Sequence, residues 1–295
     1  STLSFMQWGS LSVLITNPRD LPALVRELGR WQWSVMSGVN TLFNGLLHTP
    51  GFSALDFSSL KVVIGGGAAI QQSVAERWKQ VTGRYVTEAY GLTEASPGVS
   101  ATPLETPWNG MIGLPLPSTD VSIRDEHFNA LAPWTGDDGL ERHTGEICVR
   151  GPQVMTGYWC NPEETAVVME DGWFKTGDIG HLNGEGYLTI TDRKKDLILV
   201  SGFNVYPSEI ESVVASHPGV LECGAVGVPD ERTGEAVKVV IVRKDPQLTR
   251  EAVVEHCRKQ LTGYKLPRQV EFRDTLPKSP IGKILRRELR GGQTT

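Results

Sequence analysis

Three stretches of this chain carry side chains that could do chemistry together. Tyr90-Gly91-Leu92-Thr93-Glu94 places a flat ring, a hydroxyl and a carboxylate side by side. A ring can stack on a base, a hydroxyl can bond a phosphate oxygen, and a carboxylate can hold Mg²⁺, so the group suits a nucleotide. On the pentapeptide alone, a capped turn in which Thr93 and Glu94 satisfy backbone donors is the simpler account. Gly65-Gly66-Gly67-Ala68-Ala69 follows an apolar run and precedes a helical pattern. Glycines there let backbone amides come close to a ligand, and a helix N-terminus favours negative charge. A tight strand-to-helix turn has the same composition. The third stretch runs from Asp171 to Gly180, through Gly186-Tyr187-Leu188, to Asp192-Arg193-Lys194-Lys195. A carboxylate accepts from two hydroxyls, so Asp178 suits a ribose diol with Arg193 as a nearby donor. Singly, one is a turn residue and the other a solvated charge. Near the end, LPKSPIGKILRREL (Leu276 to Leu289) sets Lys283 after a Pro-x-Gly turn at the mouth of a short basic helix. Either Lys283, Arg286, Arg287 and Arg290 form a positive face for nucleic acid or membrane, or one of them has an anionic task and the rest dress the helix.

The elements that must position these residues show three textures. Over the first hundred residues strand and helix signals alternate. Leu11–Thr16 reads as a short strand and Asp20–Arg30 as a helix with Asp20 at its N-cap and Pro22 in the first turn. Ser34–Met36 is strand-like, Thr41–Leu47 helical, Leu60–Ile64 a buried strand, Gln71–Thr82 an amphipathic helix stopped at Gly83, and Tyr85–Tyr90 a strand. Strands separated by helices of this length imply βαβ units and a parallel sheet. After about Thr102 proline and glycine become dense. Short strands at Val121–Asp125, Glu146–Arg150 and Tyr187–Thr191 suggest a small antiparallel, barrel-like module. From Arg193 the pattern is α+β: helix Ser208–Ser216, strands Cys223–Val228 and Val237–Arg243, helix Arg250–Leu261, strand Gln269–Arg273. The run Thr191–Asp196 is too charged for a core and reads as a hinge. The expected organisation is therefore α/β in three parts: residues 1–101, 102–192 and 193–295.

Bulk composition sets limits. A chain of 295 residues, 39% hydrophobic and 21% charged, is an ordinary globular protein large enough for two modest cores. A formal charge of −5 argues against a polyanion binder as a whole. The four cysteines lie far apart, without metal-ligand spacing, which fits reduced thiols and a cytoplasmic setting. No uninterrupted apolar run approaches the roughly 20 residues of a membrane span.

In combination these stretches resemble the adenylate-forming superfamily of acyl-CoA synthetases, firefly luciferase and peptide-synthetase adenylation domains. Within it they are most similar to bacterial long-chain fatty acid–CoA ligases. Asp171–Lys195 follows the fatty acyl-CoA synthetase signature, Leu197–Pro207 continues it, and Pro277-Lys278-Ser279 with Gly282–Leu289 matches the family's C-terminal motif. The resemblance implies a partial adenylation domain, a parallel βαβ sheet plus a small β-barrel-like subdomain, followed by a mobile α+β C-terminal domain. It implies that MgATP and a long-chain fatty acid give an acyl-adenylate, and that CoA then takes the acyl group.

It also implies roles. Tyr90 stacks on adenine beside Gly65, Gly66 and Gly67, with Gly91 in the same binding segment. Thr93 binds the α-phosphate and Glu94 the metal. Asp178 and Arg193 hold the ribose hydroxyls, and Lys195 is the hinge between half-reactions. Gly202 lies on a loop beside the pantetheine channel. Lys283 is the adenylation lysine: a point charge in a partly dry cleft stabilises the charge that builds on the α-phosphate as pyrophosphate leaves. Arg286, Arg287 and Arg290 are then mostly a solvated face.

The family's Ser/Thr/Gly-rich phosphate loop is not found in this sequence, so the 295 residues are expected to be a fragment, weak or inactive alone. Peripheral contact with the inner face of a membrane fits a substrate delivered from a bilayer. Nucleic acid is not expected, because Gly282–Arg290 has no aromatic. The rival readings are a ligase that loads a carrier protein, a luciferase-like oxygenase, and a basic-tail binding module.

Overall fold

The computed structural model describes residues 2–279 and 284–291, with side chains from residue 5 onward. The chain falls into two compact units: residues up to Ala89 with Thr102–Gly110, and Tyr90–Ala101 with Met111 onward.

The first unit contains α1 (Thr2–Gln7), α2 (Leu21–Leu28), β1 (Val35–Gly38), α3 (Asn40–His48), β2 (Val62–Gly66), α4 (Gln72–Thr82) and β3 (Thr87–Gly91), whose last two residues open the second unit. β1 and β2 pair in parallel from Val35↔Val62, and β2 and β3 from Ile64↔Thr87. The sequence punctuation works as expected. The Asp20 carboxylate accepts from Ala23 N at 3.0 Å, and Gly83 closes α4 in the left-handed conformation. Helical spacing puts Val74, Ala75 and Trp78 on one face of α4, where Trp78 meets Phe43 and Phe52 in the core. One expectation fails. Leu11–Thr16 forms no strand, and Leu11 and Leu14 are 76% and 77% exposed. A β-prone run becomes a strand only where an adjacent edge takes its backbone groups.

The second unit begins with the antiparallel pair β4 (Gly98–Ala101) and β5 (Leu114–Pro115). A β-rich sheet follows: β6 (Asp120–Arg124), β7 (Ala130–Leu131), β8 (Gly145–Arg150), then helix α5 (Pro162–Val168), β9 (Met169–Glu170), β10 (Trp173–Leu182) and β11 (Leu188–Arg193). Its strand order is β11-β10-β8-β6-β7, with β9 also on β10. Asp171 and Gly172 join β9 to β10 with φ of 49° and 79°, the two left-handed residues of a tight hairpin. The Asp171-Gly172 pair is therefore turn chemistry.

The remaining elements are β12 (Ile198–Val200), β13 (Phe203–Val205), α6 (Pro207–Ala215), β14 (Val220–Asp230), β15 (Gly234–Arg243), α7 (Arg250–Arg258) and β16 (Gln269–Arg273). Alternation explains why β15 is almost continuously apolar. Val237, Val239 and Ile241 pack under α6 and α7, while Ala236, Val240 and Val242 face a second core holding Leu276 and Leu289. Buried Lys238 is held by Glu271 at 2.7 Å. The expected basic helix is reduced to a 3₁₀ turn, Arg286–Leu289, pinned by fully buried Leu289. Gly282 and Lys283 lie outside the described residues.

Candidate functional site

Three of the residues singled out in the sequence meet in the second unit, and a β-bulge is the reason. Between Lys175 and Ile179 the register of β10 against β8 slips, and Gly177 takes φ +72°. The Thr176 hydroxyl donates to Ile147 O at 2.8 Å and accepts from Asp178 N at 3.1 Å, fixing the bulge. Glu146 accepts from Gly177 N and from Lys194 Nζ. Bulges re-aim side chains, and this one presents Asp178 directly opposite Arg193 of β11. Asp178 Oδ2 accepts from Tyr90 Oη at 2.7 Å, and Arg193 Nε stands 3.4 Å from Oδ1. Burial, then the adjacent Asp178 carboxylate, raise the Tyr90 pKa, so the phenol stays a proton donor. The residue is 9% exposed and packs with Val99, Ile123 and Leu188.

Thr93 and Glu94 open a 3₁₀ turn just past β3, with Thr93 exposed. Glu94 Oε1 accepts from Tyr158 Oη at 2.9 Å, and Glu94 O from Met155 N at 2.7 Å. Burial and Glu94 together raise the Tyr158 pKa. Among the described residues no three His, Cys, Asp or Glu converge as a metal cage. Mg²⁺ is commonly held by one or two carboxylates plus substrate phosphates and water, and a part-buried Glu94 with one oxygen steadied by a phenol fits that mode.

The glycines divide by physical reason. A Cβ on Gly91 would lie 1.8 Å from Pro97 O, so close backbone approach demands glycine there. Gly65 abuts Val86 and Ile70, Gly66 abuts Ala89 O, and Gly67 is left-handed. This run belongs to the first unit, and α4 does not begin until Gln72. Asn40 at the start of α3 accepts from Gln71 N at 2.9 Å. Ser201 and Gly202, at φ 53° and 82°, form the two-residue turn between β12 and β13. Lys195 is exposed in the 3₁₀ turn Lys194–Asp196.

Comparison with known proteins decides the family. The model described as AMP-binding enzyme matches residues 1–159, and the AMP-binding enzyme C-terminal domain matches residues 209–283. The chain belongs to the AMP-binding enzyme family. The long-chain-fatty-acid–CoA ligase of Escherichia coli O157:H7 is 55% identical over 289 residues, covering 98% of this chain and 50% of that protein. ATP-bound MatB from Rhodopseudomonas palustris superposes with a TM-score of 0.81 at 34% identity, over 92% of this chain and 52% of that one. The o-succinylbenzoate CoA synthetase of Bacillus subtilis, in complex with its acyl-adenylate intermediate, gives 0.83 at 28% identity, over 99% and 57%. The chain thus spans about half the length of the curated relatives it matches. As in those adenylate-forming structures, the fold is α/β with a β-rich sheet and an α+β end. No helix among the described residues is long and apolar enough to cross a membrane, and all four cysteines are free thiols.

Reading the sequence of this AMP-binding enzyme missed Tyr158 and Glu146, whose partners are far away in the chain. It also misjudged Arg286. That guanidinium is no solvated face: its side chain is 20% exposed, and Nε and Nη2 grip Glu211 at 2.9 and 2.6 Å. Nη1 reaches Asp192 Oδ1 at 2.8 Å and Asp196 Oδ2 at 3.3 Å. Burial alone would lower its pKa, but Glu211 and Asp192 outweigh this and raise it. Arg287 and Arg290 do face solvent. Arg286, tied to carboxylates, is not available for nucleic acid.

Proposed function

We propose that the protein containing this chain is an AMP-forming long-chain fatty acid–CoA ligase. The observation that carries this reading is the bulged strand that aims Asp178 at Arg193 beneath the Tyr90 hydroxyl. A part-buried carboxylate with remaining lone pairs, flanked by one neutral and one cationic donor, suits a ribose diol. Identity to long-chain ligases along nearly the whole chain supports the acyl class. Asp178 and Arg193 bind the ribose hydroxyls, and Tyr90 contacts adenine with the uncovered part of its ring, next to Gly91. The exposed Thr93 hydroxyl binds the α-phosphate. Glu94, oriented by Tyr158, holds Mg²⁺, which when bound neutralises phosphate charge. The fatty carboxylate attacks the α-phosphorus and pyrophosphate leaves. Lys283 stabilises the charge that builds in that step. The residues after Lys195 then turn, bringing the Gly202 hairpin beside the pantetheine arm. The CoA thiolate attacks the acyl carbonyl, expelling AMP.

The three-part organisation, 1–101, 102–192 and 193–295, belongs to this proposal because the turn needs a pivot at Lys195. So does a cytoplasmic setting with peripheral contact at the membrane's inner face, where the acyl chain is delivered. The test is palmitate-dependent ATP–pyrophosphate exchange by the full-length protein, followed by mass detection of palmitoyl-CoA. Exchange and thioester together are expected, with weak exchange from the 295 residues alone. Exchange with short or aromatic acids but not palmitate would overturn the substrate class. Adenylate formation without a CoA thioester would overturn the acceptor.

A further inference from the structure

Asp192 uses both of its oxygens on the far side of the Lys195 pivot. Oδ1 accepts from Arg286 Nη1 at 2.8 Å, and Oδ2 from Ser208 N and Ser208 Oγ at 2.8 and 2.7 Å. Ser208 Oγ also donates to Thr191 O. The Asp192 side chain is 2% exposed, on β11, paired across from Ile179. Ser208 lies in the first turn of α6, which has no side-chain cap of its own. Asp192 therefore answers an orphan amide and the positive end of a helix belonging to the next layer. Arg286 is meanwhile fixed to Glu211 of α6 and to Asp196, which follows the pivot. Lys278 and Ile284 form an isolated antiparallel bridge, and Ile284 lies two residues before Arg286.

We propose that Asp192, Ser208 and Arg286 are a latch that holds the C-terminal part against β11 in one of two orientations. A turn at Lys195 must break the bonds from Arg286 and Ser208 to Asp192, yet it leaves Arg286 on Glu211 and Asp196. The latch thus centres on the Asp192 carboxylate, with Thr191 O as a further acceptor for Ser208, and Arg286 is a positioning residue whose charge stays paired in both orientations. A buried charge left unpaired would obstruct such a motion, and the two remaining carboxylates prevent it. The link to catalysis rests on the ligase reading, because only that reading supplies two half-reactions needing two orientations.

The test compares Asp192→Ala and Ser208→Ala with the unaltered full-length protein. Adenylation is followed by pyrophosphate exchange, and thioester formation by CoA-dependent consumption of preformed palmitoyl-adenylate. With Asp192→Ala one half-reaction slows and the other holds or accelerates, shifting their ratio by about tenfold, the scale set by lost charged hydrogen bonds. Ser208→Ala shifts it less, in the same direction. Equal losses in both half-reactions, or no change in either, overturn the catalytic role. A readout independent of activity uses spin labels on exposed Cys160 and on Leu221→Cys, a position 61% exposed on β14, with any other accessible cysteine replaced by serine. One main distance is expected in the unaltered protein and a second population with Asp192→Ala. A single unchanged distance sinks the latch whatever the rates do. If the unaltered protein shows no palmitate-dependent exchange, the ligase reading fails, and the label distances alone decide the latch.

Discussion

Asp192 and Arg193 are consecutive on β11 and point to opposite faces, where they meet two different kinds of charge cluster. Arg193, with a side chain 47% exposed, makes one loose 3.4 Å ion pair to Asp178, leaving carboxylate lone pairs for something else. Asp192 has every direction filled by Arg286, Ser208 and the following Arg193 amide. The open cluster can exchange protein contacts for ligand contacts at little cost. The closed one can only be broken. One strand thus separates an open charge cluster from a closed one by the alternation of its side chains. A third carboxylate is the limiting case. Glu88 of β3 is 7% exposed, its Oε1 has no partner among the described residues, and burial pushes its carboxyl up to about 7 despite the pull of Trp108.

The largest effect is expected at the closed cluster. Arg286→Met leaves Asp192 and Glu211 without their shared cation and should cost about 3 kcal/mol of stability in urea unfolding. A loss near zero would mean the cluster is as open as the other. Glu88→Gln should give a similar figure with a pH signature. The folded protein holds a proton on Glu88 from the ordinary value of 4.5 up to about 7, so the native state loses stability as pH rises across that window. Above it the variant should exceed the parent by about 3 kcal/mol, and below pH 4.5 the two should converge. A constant difference at all pH values would refute the protonated carboxyl. Asp178→Asn belongs to the open cluster and should barely move the melting temperature. Pyrophosphate exchange should nevertheless fall roughly ten- to hundredfold, the range for a hydrogen bond to a charged group. The smallest effect is expected from Tyr158→Phe. Losing one donor to Glu94, worth about 0.5–1.5 kcal/mol, should raise the Mg²⁺ needed for half-maximal exchange by a few-fold.

Part of the candidate site was legible because its residues have distinctive chemistry or sit at turns. Asp178 and Arg193 stand out as a carboxylate and a donor, and the Gly177 bulge between Thr176 and Asp178 explains why a glycine sits there. Asp171-Gly172 and Ser201-Gly202 encode hairpins through residues that accept positive φ. Asp192 and Arg286 were not legible. In a run such as Thr191–Asp196, or in Ile284–Arg290, charge looks like solvation, and only the fold shows which member is buried. Ser208-x-x-Glu211 even has the pattern of a capping box, but Ser208 bonds Asp192, and Glu211 takes Arg286 and Ala225 N. Leu11–Thr16 failed for the complementary reason: a β-prone segment without an adjoining edge.

The sequence by itself determined the family, the residue types at the candidate site and the places where the backbone must turn, because motif, propensity, periodicity and φ > 0 are local. Tertiary structure alone decided which charges are spent and which are free. That depends on burial and on partners many residues away, and a carboxylate acquires its role only when the groups that satisfy it, or fail to, are brought within hydrogen-bonding distance.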